Sequence, residues 1–231
     1  MTQSGSDNNF RFFSSWSGGK DSCLALFRMT QTGAQCGALF TMFDETGEHS
    51  RSHGLFPELV KAQAAAMGLP LFTAFATWPD YETQFKAGLA RFPQEGILHS
   101  VFGDIDLVPH RQWVERVCQE CGLTAHLPLW QGNREELVRE FLAAGFKALI
   151  VVVDRKRMPA DFLGREINEQ LLADLAAIGV DGCGENGEFH SFVYDGPLFK
   201  HPVAFEAGEA LSLAEHSLLP IRVSREPLAV A

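Results

Sequence analysis

The chain has no apolar run near the roughly 18 residues that a membrane-spanning helix needs. Its first residues, "MTQSGSDNNF", lack the basic stretch followed by an apolar core that marks a secretory leader. Membrane insertion and secretion are therefore not expected, and the cytoplasm is the expected compartment. Positive charge is also scarce: 19 Lys and Arg stand against 29 Asp and Glu, a formal net charge of −10. That balance opposes non-specific attraction to nucleic acid or anionic lipid, so neither is an expected partner. The five cysteines, Cys23, Cys36, Cys118, Cys121 and Cys183, are odd in number, and a reducing compartment speaks against structural disulfides. Cys118 and Cys121 have C-x-x-C spacing, but they fall in a helical pattern with no second pair, which argues against zinc or an iron–sulfur cluster. Repeats, low-complexity segments and flexible linkers are absent as well.

What is present is a chain of 231 residues, 46% hydrophobic, long enough to bury a real core as one large domain or two small ones. Short apolar runs alternate with amphipathic stretches. The pattern predicts strands near 11–16, 36–43, 70–76, 97–102 and 147–153. Helices are predicted over 20–32, 56–67, 80–91, 109–121, 134–144 and 168–178. Such alternation indicates an α/β protein whose parallel sheet is covered by helices on both faces. The rhythm changes after about residue 128, so a second unit is expected over 129–231, packed closely on 1–128, with turns and short strands from 188 onward.

Residues 12–26, "FFSSWSGGKDSCLAL", place Ser17, Gly18 and Gly19 on the turn between the first strand and the first helix. Glycines let backbone amides approach an anion, and the first helical turn leaves about four N–H groups without intrahelical partners. Ser17 and Ser22 add hydroxyls and Lys20 a positive charge. Asp21 suits an anion site only if it faces a divalent cation or a substrate group, which points to a nucleotide with magnesium. A β-branched residue at Gly18 or Gly19 is expected to abolish ATP binding while leaving the fold intact. The stretch fits neither the Walker pattern nor G-x-G-x-x-G. On its own, "SGG" is compatible with an ordinary capped turn.

The second constellation is "GCGENGEFHSF", where Gly182, Gly184 and Gly187 interrupt any helix and Glu185, Glu188 and His190 bring three ionisable groups within six residues. Such a loop can bind a cation, orient an amine or simply face water. Asp104 in "FGDI" falls at the carboxyl end of the fourth strand, where open sheets place functional groups, and this reading is preferred over a cap for the helix from Val108. His53 in "SRSHG" lies on a polar loop after the second strand, and Arg111 reads as a helix-surface residue.

"SGGKDS" after the first strand resembles the PP-loop of ATP pyrophosphatases, whose fold is a Rossmann-like five-stranded parallel sheet of the adenine nucleotide alpha hydrolase type. With "FGDI" at 102–105, "PLW" at 128–130 and "GENGEFHSFVYDGPLF" at 184–199, the chain resembles the diphthine–ammonia ligase family and its bacterial relatives. The resemblance implies an ATP-binding domain over 1–128 and a smaller α/β substrate-binding domain over 129–231. It implies an ATP-dependent ligase that adenylates a small-molecule or protein-borne carboxylate, releases AMP and pyrophosphate, and transfers ammonia to form an amide. ATP and Mg2+ are the implied cofactors, and a homodimer is an assembly to expect. Ser17, Gly18, Gly19, Lys20, Asp21, Ser22, His53 and Gly103 would bind the nucleotide, with Asp21 holding the metal. Lys20, Asp21, Asp104, Glu185 and Glu188 would be catalytic, and Asn186, Gly187 and His190 would bind the substrate. The acidic loop is expected more than a side chain's length from the phosphate cradle. Diphthine ligases carry a "GGEYET"-like form where this chain has "NGEFHS", with Asn186, Phe189 and His190 in place of Gly, Tyr and Glu. That departure directs the reading to a bacterial branch for which a link to cobalamin salvage has been proposed. A PP-loop tRNA sulfur-transfer enzyme and a nucleotide-binding regulatory module are the alternatives. The negative charge opposes the first, and the acidic loop is surplus to the second.

Overall fold

The computed structural model describes residues 10–51 and 53–224. In the first half, strands β1 (Arg11–Ser15), β2 (Gln35–Asp44), β3 (Leu71–Ala76), β4 (His99–Val101) and β5 (Thr124–His126) alternate with helices α1 (Lys20–Gln31), α2 (Pro57–Met67), α3 (Tyr81–Leu89) and α4 (Val108–Glu120). The strands form one sheet in the order β3-β2-β1-β4-β5, and every pairing is parallel. The chain direction of travel reverses at β1, which has β2 on one side and β4 on the other. The crevice beyond the carboxyl ends of β1 and β4 is therefore the topological switch point, where open sheets take their ligands.

Both faces of the sheet are covered, as a parallel sheet requires. Neighbours Phe12 and Phe13 point to opposite sides, and both are fully buried. Phe13 packs with Phe40, Phe85, Phe92 and Phe102 under α3 and α4. Phe12 belongs to a larger core with Leu24 and Leu26 of α1 and Val60 of α2, and that core continues into Phe141, Ile150, Val153 and Phe192 of the second half.

The second half comprises α5 (Arg134–Ala143), β6 (Lys147–Asp154), α6 (Glu169–Ala177), β7 (Phe189–Asp195), β8 (Phe205–Ala207), β9 (Leu211–Ser212), β10 (His216–Leu218) and β11 (Ile221–Val223). Its main sheet, β7-β6-β10-β9, is antiparallel throughout, and β8 pairs with β11. Asn133 and Asn168 cap α5 and α6 by accepting from the amides of Glu136 and Leu171 at 3.1 and 2.9 Å.

Two sequence expectations are corrected here. The run at 147–153 is not a strand of the parallel sheet; it is β6, central to the antiparallel one. The fifth parallel strand is Thr124–His126, too short to leave a periodic signal. The tail from 188 also holds a strand of seven residues, β7, rather than short strands alone.

Candidate active site

The carboxyl end of β1 runs into Trp16–Gly19, and α1 begins at Lys20 without a side-chain N-cap. The loop is held by a buried amide. Trp16 Nε1 donates to Gln63 Oε1 at 3.0 Å, while Gln63 Nε2 donates to the carbonyls of Gly18 and Val193 at 2.9 and 2.6 Å. Val193 returns the contact, its amide donating to the Gly18 carbonyl at 3.0 Å. Gly18 has φ +83°, and a Cβ there would fall 2.6 Å from Leu55 Cδ1. Only glycine fits. Gly103 matters for a different reason: a Cβ on it would lie 2.8 Å from the backbone of Asp21 and Ser22, so its small size lets the end of β4 abut the first turn of α1.

Within the loop, Ser17 Oγ and Ser22 Oγ are 3.0 Å apart, and the Gly19 amide donates to Ser17 Oγ at 3.3 Å. Lys20 is 5% exposed, and its Nζ lies 2.7 Å from Asp21 Oδ2. Burial alone would pull the Lys20 ammonium down, but attraction from Asp21, Cys183 and Glu185 outweighs it and the pKa is raised. The group stays charged, as an anion site needs.

The two glycine-rich segments meet, which corrects the expected separation. The Lys20 amide donates to Ser191 Oγ at 3.1 Å, and Lys20 Nζ stands 5.7 Å from the centre of the Phe189 ring. His53 Nδ1 lies 2.8 Å from the Ser191 carbonyl and therefore donates to it, so that Nε2 carries the lone pair of the neutral ring, without a partner among the described residues. The His53 and His190 rings are 4.8 Å apart. Burial pulls the His53 pKa to about 4, assisted by the Lys20 charge, and pulls His190 to about 3, assisted by His53 and Lys20. Both imidazoles are neutral near pH 7.

A cavity of about 230 Å³ at the switch point has Ser17, Asp21, Ser22, Gly103, Asp104 and Glu185 in its wall. Ser15, Tyr81, Phe102 and Asp104 also line an adjoining cavity of about 390 Å³, floored by Phe85, Trp113 and Trp78. A larger hollow, about 620 Å³ between α5 and α6, lies away from the phosphate loop. Burial pushes Glu185 up to about 7, with repulsion from Asp21 adding to it and Lys20 and Arg134 opposing it. Asp104 does not cap α4, whose N-cap is Leu107; it lies 3.4 Å from His110 Nδ1 and raises that imidazole's pKa.

Glu188 turns away from this cavity. Its carboxylate accepts from the amide and side chain of Asn186 at 3.0 and 2.9 Å and thereby closes the loop. Asn186 and Gly187 are exposed, whereas His190, the third expected substrate contact, lines a cavity. Arg111 pairs with Glu115 on the surface of α4 and covers Trp130. Sequence reasoning missed Gln63, Ser191 and Arg134. Arg134 clamps Asp106 at 2.6 and 2.9 Å and also binds Asp181, tying the segment after β4 to the acidic loop. Gln63 and Arg134 stand in no motif, Ser191 stands in the second glycine-rich segment without being singled out, and each acts across more than 25 residues of chain.

The donor set suits a triphosphate with a hard cation. The chain presents a charged buried lysine, two hydroxyls and a glycine turn, with the carboxylates of Asp21, Asp104 and Glu185 in the same wall. Among the described residues no three His, Cys, Asp or Glu side chains are grouped to hold a metal by themselves.

Comparison with known proteins gives the same order of segments. Residues 11–125 match the diphthamide synthase N-terminal domain and residues 133–223 the diphthamide synthase C-terminal domain. The diphthine–ammonia ligase of Rattus norvegicus is 28% identical over 247 residues, spanning 90% of this chain and 88% of the relative. That of Homo sapiens is 26% identical over 238 residues, with the same coverage. A solved structure titled as a predicted subunit of tRNA methyltransferase from Methanocaldococcus jannaschii aligns with a TM-score of 0.43 at 16% identity, covering 80% of this chain and 96% of that one. With both domain models matched in order, the chain belongs to the diphthamide synthase family.

Proposed function

We propose that the chain is an ATP-dependent amide ligase that activates a carboxylate as its adenylate and passes the acyl group to ammonia. The observation that carries this reading is the shared cavity: the PP-loop residues and Glu185 of the second segment face the same space. In the first half-reaction a carboxylate oxygen attacks the α-phosphorus of ATP, and the α–β bond breaks with release of pyrophosphate. The Lys20 ammonium and the first-turn amides of α1 after that of Lys20, which is bonded to Ser191, hold the departing phosphates at the end of the helix where anions are favoured. Mg2+ bound at Asp21 with the nucleotide would neutralise charge on the phosphates. In the second half-reaction the ammonia nitrogen attacks the acyl carbon and AMP leaves. The proton lost from nitrogen goes to a base, and Glu185, with its pKa at about 7, is matched to that task. Tyr81, Phe102 and Trp113 offer an aromatic surface beside the loop for the nucleobase.

The curated relatives act on diphthine by name, and an acid of that type is the acceptor proposed here. The sulfur-transfer alternative finds no activated thiol. All five cysteines are shifted upward, chiefly by burial, with Cys183 near the loop at about 12. Incubating the purified chain with ATP, Mg2+, ammonium, and diphthine or a panel of carboxylic acids tests the reading. AMP and pyrophosphate are the expected products; ADP and phosphate would replace adenylation with a phosphorylated intermediate.

A further inference from the structure

His53 is a wall common to two cavities. One is the nucleotide cavity; the other, of about 460 Å³, gathers His49, Arg51 and His53 from the segment after β2, His190 from β7 and His216 from β10. Both halves of the chain build it. Although the chain carries 29 acidic residues against 19 basic ones, no Asp or Glu is among the described residues that line this cavity. Its polar wall consists of four imidazoles and one guanidinium. Val152 and Leu218 complete it with apolar surface. Arg51 is partly committed, since it bonds to the Ala76 carbonyl and pairs with Glu45, and His49 lies 3.5 Å from Asp44. His190 differs: among the described residues it has no hydrogen-bond partner, so its ring nitrogens are available to a ligand. Imidazole N–H donors in a wall that itself holds no carboxylate suit an anion, and the apolar wall suits an aliphatic body attached to it.

We infer that this cavity receives the acceptor acid, with its reacting carboxylate at His190 beside the His53 wall and the rest of the molecule toward His216. The inference rests on the ligase reading and adds to it a second compartment for the acid, adjoining the nucleotide cavity at the shared His53 wall. It also explains why His190 is the one residue of "NGEFH" that belongs to this space, while Asn186 and Gly187 face solvent.

Two arms separate this inference from the reading beneath it. In the first, imidazole 15N resonances of the full chain are followed as acetate, glutarate or diphthine is added, with acetamide and glutaramide as neutral controls and pyrophosphate as the rival anion. The acids should shift the His190 and His216 rings and the amides should not. His216→Leu, at an exposed rim position, should weaken the best acid about tenfold, the loss of roughly one hydrogen bond to a charged group, with ATP affinity by calorimetry unchanged. If no acid shifts these rings, if the amides shift them equally, or if only pyrophosphate does, the inference is overturned. In the second arm, the same acids are tested for ATP–pyrophosphate exchange. Binding at the imidazoles without exchange would keep the acid cavity and remove the ligase reading; exchange without imidazole shifts would do the reverse.

Discussion

The amide of Lys20 and the hydroxyl of Ser191 are 3.1 Å apart, joining the first turn of the phosphate-loop helix to a strand 171 residues further along the chain. The contact is buried, and the Ser191 carbonyl simultaneously accepts from His53. Removing the hydroxyl leaves an amide without its acceptor where water does not easily follow. Ser191→Ala should therefore cost about 1–3 kcal/mol, the usual penalty for a buried donor left unpaired. Denaturant titration reads it as a lower midpoint at unchanged slope. An unaltered midpoint would mean that the two halves are not coupled through this bond.

Gly19 and His53 are coupled by shape. A Cβ on Gly19 would lie 2.1 Å from His53 Cε1, closer than any real contact, so Gly19→Ala must displace the imidazole. ATP affinity and the His53 resonance should both change, and His53→Ala in the same chain should restore the affinity by opening the space. Gly18 is a different case. Its positive φ and the 2.6 Å approach to Leu55 make any β-branched replacement a folding defect, so the expectation of an intact fold holds for neither the backbone nor the packing at that position.

How much of this was legible beforehand follows from the range of each interaction. Helix α1 and its loop were visible because an apolar strand, small residues and an amphipathic helix are local patterns. The end of β4 was placed by the same logic, and Gly103 and Asp104 do reach the cavity. Strand β5 was not legible, since three residues carry no period and its pairing with β4 is supplied by the sheet. Glu185 and Glu188 looked alike in the sequence; only the fold turns one into the cavity and the other onto Asn186. Gln63 lies within a helical stretch, and its function as a buried hub depends on Trp16 and Gly18 of the phosphate loop and Val193 of β7 converging on it.

That contrast between the two glutamates is measurable. Glu185→Gln should lower amide formation by roughly 100- to 10,000-fold, the range for loss of a catalytic base, with the folded state retained. Glu188→Gln should act through the loop instead. Glu188 is 6% exposed and its carboxylate accepts two hydrogen bonds from Asn186, so the change should cost about 1.5–3 kcal/mol of stability, with turnover of the remaining folded protein much less affected. Equal losses of turnover in the two variants would return Glu188 to the chemistry.

The pH dependence of stability should show the histidine pair and Glu185 acting in opposite directions. His53 and His190 are neutral in the folded chain, with pKa values of about 4 and 3 against an ordinary 6.5. In the unfolded chain they take up protons first, so the stability they give is fully present above pH 6.5 and is lost as pH falls toward those values. Glu185 is raised to about 7 from an ordinary 4.5, so its contribution is present below 4.5 and is lost as pH rises through 7. Thermal melts of the nucleotide-free chain between pH 4.5 and 8 separate the two. His190→Leu should flatten the decline below pH 6.5 and leave the alkaline side alone. Glu185→Gln should raise the melting temperature above pH 7, where the wild type must keep a carboxylate charged beside Asp21, and should change little at pH 4.5. If Glu185→Gln instead melts lower than the wild type at pH 8, the attraction of Lys20 and Arg134 outweighs burial, and Glu185 is an ion-pair partner rather than a base.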